Sequence, residues 1–173
     1  METFPTSCTV ADLPEARYGP MPFLTADAPP SVATCGGWTS WGTTSSCLTL
    51  QGGQWVGGGV GDLPGGRGYG SAVTLPGHGV YLVGGTGDGD KWDTSDFLAA
   101  GTTVWVEGPA LPVAMYYPCT VPLPSSFLAI YGRYVRELDT SSGWRSADTW
   151  PRLLTRRTYQ PGCAVRGQQA HWV

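Results

Sequence analysis

Long apolar runs are missing from this 173-residue sequence, so no helical crossing of a bilayer is expected. Charge is scarce as well. With 13% charged residues and a net charge of −3, no basic face is expected, so neither nucleic acid nor an acidic lipid surface has electrostatic support as a partner. The first eight residues, Met1 to Cys8, have neither a positive start nor an apolar stretch, so no signal peptide is read there. Histidine is limited to His78 and His171, and no CxxC pair occurs, so neither structural zinc nor any other cofactor is expected.

Glycine and proline, at 26 and 15 residues, would interrupt long helices repeatedly. Disorder is countered by 41% hydrophobic residues and eight tryptophans, which leaves an all-β chain as the expectation. Five cysteines are present: Cys8, Cys35, Cys47, Cys119 and Cys163. Cys35 ends one strand candidate and Cys47 lies in the next, so an antiparallel hairpin would bring them together either as a disulfide or as two buried thiols. Cysteine placement leans the compartment towards extracellular without fixing it.

A repeat organises the chain. Leu13-Pro14, Leu63-Pro64, Leu111-Pro112 and Trp150-Pro151 recur at spacings of 50, 48 and 39 residues. Arg17 and Arg67 stand three residues beyond the first two prolines, Met115 takes that place in the third block, and Arg157 does so in the fourth after a three-residue insertion. Tyr69, Tyr117 and Tyr159 follow two residues later and open short strand candidates at 71–75, 119–123 and 162–165. Turns at Pro76-Gly77, Pro124-Ser125 and Arg166-Gly167 lead to second strands at 80–83, 127–130 and 170–173, with 31–35 filling that role in the first block. Gly36-Gly37 and Gly84-Gly85 close the second strands, where bare glycine permits positive φ or close approach by a neighbouring backbone; the third block offers Tyr131-Gly132. Third strands at 46–50, 94–98 and 134–138 each lead to a tryptophan, Trp55, Trp105 and Trp144, which are read as packing residues.

This order of strand, turn, strand, diglycine, variable loop, strand, tryptophan, then Leu-Pro and arginine resembles the kelch repeat. It covers nearly the whole chain, and Glu137-Leu138-Asp139-Thr140-Ser141-Ser142-Gly143-Trp144 is particularly similar to the family's third-strand ending. The resemblance implies a kelch-type β-propeller fragment: about three and a half blades of four-stranded antiparallel sheet, at approximately 13–62, 63–110, 111–149 and an incomplete 150–173. Tyr69 and Val83 stand 14 positions apart, as do Tyr159 and Val173, so the sequence is expected to stop mid-repeat. An open arc follows, part of a larger protein, whose exposed blade edges would permit self-association.

Catalytic chemistry finds little support. Some kelch-type propellers resemble galactose oxidase, a copper enzyme, but His78 falls in a hairpin turn and His171 in a strand, so convergence on one metal is not expected. Gly57 to Gly61 lacks the Gly-Lys-Ser/Thr that a phosphate loop needs and reads as a turn. The loop from Thr86 to Asp93 alternates aspartates but lacks the closing glutamate and flanking helices of a calcium loop. No Gly-x-Ser-x-Gly nucleophile motif occurs.

Function in a repeat scaffold sits where repeats differ, which points to the loops after the second strands. Their candidate binding residues are Trp38 and Trp41 in the first loop, Asp88, Asp90, Lys91 and Trp92 in the second, and Arg133 in the third. A non-catalytic scaffold binding a protein partner is the expected function. A fragment of a kelch-like oxidase or carbohydrate-active protein, with catalytic groups outside this chain, and a structural spacer are the alternatives.

Overall fold

The computed structural model describes residues 10–87, 90–132 and 134–145, plus two strands near the C-terminus; for Asp90, Lys91 and those last strands the backbone alone is described. The described chain is all β, and three four-stranded antiparallel sheets follow one another along it. Sheet one comprises β1 (Met21–Leu24), β2 (Val32–Cys35), β5 (Cys47–Gln51) and β6 (Gln54–Val56), in that spatial order. Between β2 and β5 lies a two-residue ribbon of β3 (Trp38–Thr39) and β4 (Gly42–Thr43). Sheet two repeats the plan with β7 (Ser71–Leu75), β8 (Gly79–Val83), β11 (Ser95–Ala99) and β12 (Trp105–Glu107), and its ribbon is β9 (Thr86–Gly87) with β10 (Asp90–Lys91). Sheet three is β13 (Cys119–Pro122), β14 (Ser126–Tyr131), β15 (Tyr134–Asp139) and β16 (Gly143–Trp144). A last hairpin pairs β17 (Cys163–Arg166) with β18 (Gln169–Trp172).

The sheets pack face to face, and this is why their central strands abandon the alternation of a half-exposed sheet. Every residue of β8 is buried: Val80 and Leu82 face sheet one, while Tyr81 and Val83 face sheet three. Between sheets one and two lie Met21, Phe23, Ala33, Leu98 and Trp105, with the Phe23 and Trp105 rings edge to face at 5.8 Å. Between sheets two and three, Val73 and Tyr81 meet Phe127, Ala129 and Leu138. Cys119, Val121, Leu128, Ile130 and Val135 form a third layer on the far side of sheet three. Burial of each large side chain contributes about 1.5–3 kcal/mol.

The first strands of successive sheets lie side by side, β1 next to β7, β7 next to β13, and β13 next to β17. Hydroxyls stitch this seam: Thr74 Oγ1 donates to the Leu24 carbonyl and Thr120 Oγ1 to that of Ala72. Cys35 and Cys47, directly opposed on β2 and β5, are joined by a disulfide. Cys119 is also disulfide-bonded, to a cysteine whose side chain lies outside the described residues.

Candidate aromatic binding face

The segment that leads from each Leu-Pro pair into the next first strand builds one end of the fold. Its arginine turns inward. The Arg17 guanidinium donates to the Gly36 carbonyl at 3.2 Å, the Ser46 carbonyl at 2.9 Å and Ser46 Oγ at 2.6 Å. Arg67 makes the same set in sheet two, donating to the carbonyls of Gly84 and Thr94 and to Thr94 Oγ1. Arg67 is sealed further: it forms an ion pair with Asp96 at 2.9 Å, and its guanidinium lies 4.2 Å from the centre of the Trp92 ring. Burial lowers the Arg67 pKa, with Asp96 partly offsetting it; burial likewise raises the Asp96 pKa, with Arg67 opposing. Sheet one has Leu48 where sheet two has Asp96, and Arg17 accordingly stays half-buried.

The diglycines explain how the repeats approach one another. Gly37 N–H donates to the Arg67 carbonyl and Gly85 N–H to that of Met115, both at 2.8 Å. A Cβ on Gly36 would sit 2.1 Å from the Arg67 oxygen, and one on Gly84 would sit 2.4 Å from the Met115 oxygen. No side chain fits, and all four glycines have positive φ.

Two residues beyond Arg17, Arg67 and Met115, the backbone turns left-handed every time: Gly19 at φ 58°, Tyr69 at 60° and Tyr117 at 54°. For tyrosine this conformation costs roughly 1–2 kcal/mol. A ladder holds it, with Tyr69 N–H donating to the Gly19 carbonyl at 2.8 Å and Tyr117 N–H to that of Tyr69 at 3.0 Å. The Tyr69 ring covers Gly19, and the rings of Tyr69, Tyr116 and Tyr117 cluster with centroids 4.1–5.7 Å apart. Desolvation first, then its two tyrosine neighbours, push the Tyr117 phenol well above its ordinary pKa. The strand starts expected at these tyrosines are instead left-handed turns. The cue was Gly19 standing at the same offset.

Beside the ladder lie the two ribbons. Tyr18 and Trp38 exchange backbone hydrogen bonds at 2.8 Å, and Gly68 and Thr86 exchange the equivalent pair at 2.9 Å. The candidate loop residues then separate by what they touch. Trp38 packs against Gly68, where a Cβ would lie 2.9 Å from the indole. Trp92 sits beneath Arg67, over Gly65 and Gly87. Trp41, at the tip of the first ribbon, is 90% exposed, and Tyr18 is 72% exposed. Asp90 and Lys91 form the outer strand of the second ribbon, while Asp88 and Arg133 lie outside the described residues.

The repeated tryptophans serve packing on the same plan. Trp55 Nε1 donates to the Ala11 carbonyl at 3.0 Å, Trp105 Nε1 to Gly61 at 2.9 Å and Trp144 Nε1 to Pro109 at 3.5 Å. Each acceptor stands two residues before a landmark leucine. His78 Nε2 lies 3.2 Å from the Tyr81 hydroxyl, and the side chain of His171 is outside the described residues. Among the described residues no group of three or more His, Cys, Asp or Glu converges. The ladder end of the fold thus presents an aromatic surface with Trp41 and Tyr18 at its most accessible points, backed by a tyrosine cluster. No family model matches the sequence, and comparison with curated proteins finds no match.

Proposed function

We propose that the three sheets are kelch-type propeller blades and that the chain is a protein-binding scaffold whose contact surface is the ladder end of the arc. The propeller reading is supported by the adjacent first strands, by the two-sided burial of the middle sheet, and by the recurrence of the arginine, diglycine and tryptophan contacts at corresponding positions. The observation that carries the binding reading is the exposure of Trp41 at the ribbon tip and of Tyr18 on the segment bridged to that ribbon, when Trp38 and Trp92 are spent on packing. An exposed indole at the tip of a hairpin whose inner strand is bridged to Tyr18 is an apolar anchor, of the residue type that dominates binding energy at protein interfaces.

The test is comparative capture. The chain and its Tyr18→Ser/Trp41→Ser variant, both checked for the same β circular dichroism, are immobilised and exposed to crosslinkable extract, and bound proteins are quantified by mass spectrometry. Proteins depleted at least tenfold by the double substitution are expected. Identical capture by both forms would sink the assignment of this face.

A further inference from the structure

Charge is distributed unevenly along the chain. Residues 1–110 carry ten acidic residues and three cations, a net of −7, whereas residues 111–173 carry three acids and seven cations, a net of +4. Folding sharpens the first imbalance. Two of those three cations, Arg17 and Arg67, point inward onto backbone carbonyls, which leaves Lys91 as the remaining cation of that stretch. Asp12 and Glu15, in the segment that leads into Tyr18, are exposed, and Glu15 and Asp62 lie near enough to Arg17 to act on it.

The fold also contains its own example of what such aromatics hold. In sheet two the backbone N–H after the ribbon, donated to the Gly85 carbonyl, belongs to Trp92, and that indole takes a guanidinium on its face at 4.2 Å. In sheet one the same bond, to the Gly37 carbonyl, comes from Thr44, and the indole stands instead at the ribbon tip, Trp41, bare to solvent. Resting on the binding reading above, we infer that this face takes a cationic, arginine-bearing segment of a partner protein: the guanidinium stacks on Trp41 or Tyr18, and Asp12 and Glu15 supply the complementary charge.

The probe is a fluorescent nona-arginine peptide, with nona-lysine and nona-glutamate as comparisons, titrated by anisotropy at low and at raised salt. Nona-arginine should bind more tightly than nona-lysine, and nona-glutamate should not bind. Trp41→Ala should weaken nona-arginine about fivefold. Asp12→Asn/Glu15→Gln should weaken it at low salt and have less effect at high salt. All these positions are exposed, so the variants retain the fold. Binding that is indifferent to Trp41→Ala would be diffuse attraction and would overturn the inference. If no cationic peptide binds while capture still depends on Tyr18 and Trp41, the inference fails and the binding reading stands; loss of both removes both. Sedimentation without peptide should show no association that depends on Trp41. A Trp41-dependent dimer would seat the basic stretch of a second copy on this face and would overturn the assignment to a separate partner.

Discussion

The carbonyl of Arg67 lies where the side chain of Gly36 would be: a Cβ there would come within 2.1 Å of the oxygen, while the neighbouring Gly37 N–H bonds to that same oxygen at 2.8 Å. The obstacle is backbone, which cannot rotate aside. Gly36→Ala therefore combines the left-handed penalty of roughly 1–2 kcal/mol with an overpacking cost of about 1–3 kcal/mol, and separates sheet one from the entry to sheet two. Gly52 has a similar φ of 56° but nothing within 4 Å of its would-be Cβ, so Gly52→Ala should show the first cost alone. Urea unfolding of the two variants checks this, and equal destabilisation would refute the contact.

Arg67 and Asp96 form a buried ion pair that neither neighbouring repeat reproduces, since Met115 stands at the arginine position of the third and Leu48 at the aspartate position of the first. The 2.9 Å contact leaves Asp96 Oδ2 without an aligned hydrogen bond. Arg67→Met alone strands a buried carboxylate and should cost about 3–5 kcal/mol. Adding Asp96→Leu removes that charge, and the double variant should recover most of the loss. The measurement is a double-mutant cycle by chemical denaturation, and strictly additive losses would show that the pair has no coupling.

How much of this was legible beforehand depended on whether a feature is local. Strands such as Ser71–Leu75 and Gly79–Val83 follow from β-prone runs closed by Pro-Gly, and the structure has them within a residue of their expected bounds. The β1 strand went unnoticed because Pro22 interrupts a run with no regular alternation, and its register is fixed by pairing with β2. Short ribbons replaced the expected loops after the diglycines, because Tyr18 and Gly68, from a distant segment, supply the third strand that two residues alone could not hold. The candidate site was legible only as a list of unusual residues. Which tryptophans were free could not be read from sequence, since Trp38, Trp41 and Trp92 share composition and location but differ in what packs on them, and that is a tertiary property.

Thiol counting gives a direct check of the covalent frame. Cys35 is bonded to Cys47, and Cys119 is bonded to one of the two remaining cysteines, Cys8 or Cys163. Alkylation of the denatured, unreduced chain should label one thiol, and five after reduction. Non-reducing peptide mapping then identifies the partner of Cys119. Three labelled thiols would mean that the second bridge is absent.

Asp139 closes the turn between β15 and β16, accepting from the Ser141 and Ser142 N–H groups, from Ser141 Oγ and from Arg145, with Glu137 also facing that arginine. Hydrogen bonds from Ser141, followed by Arg145, hold its carboxyl well below the ordinary value of 3.8. The folded state therefore binds its proton less readily than the unfolded state. This contribution to stability is fully present above the ordinary carboxylate range and disappears as pH falls from there through the lower folded pKa. Asp139→Asn keeps an oxygen for the serine N–H groups and removes the charge that Arg145 recognises. Wild type should be the more stable protein from pH 5 to 7 by a constant margin, and the margin should shrink once the pH drops below about 4. Asp96 runs the other way: burial raises its folded pKa, so ionising it as pH climbs through that interval costs stability, and the deficit of Asp96→Asn relative to wild type should widen towards low pH where that of Asp139→Asn narrows. Thermal melts of the three proteins across this range separate the two carboxylates, and a wild-type margin over Asp139→Asn that persisted undiminished at pH 2.5 would show that the turn does not depend on the aspartate charge.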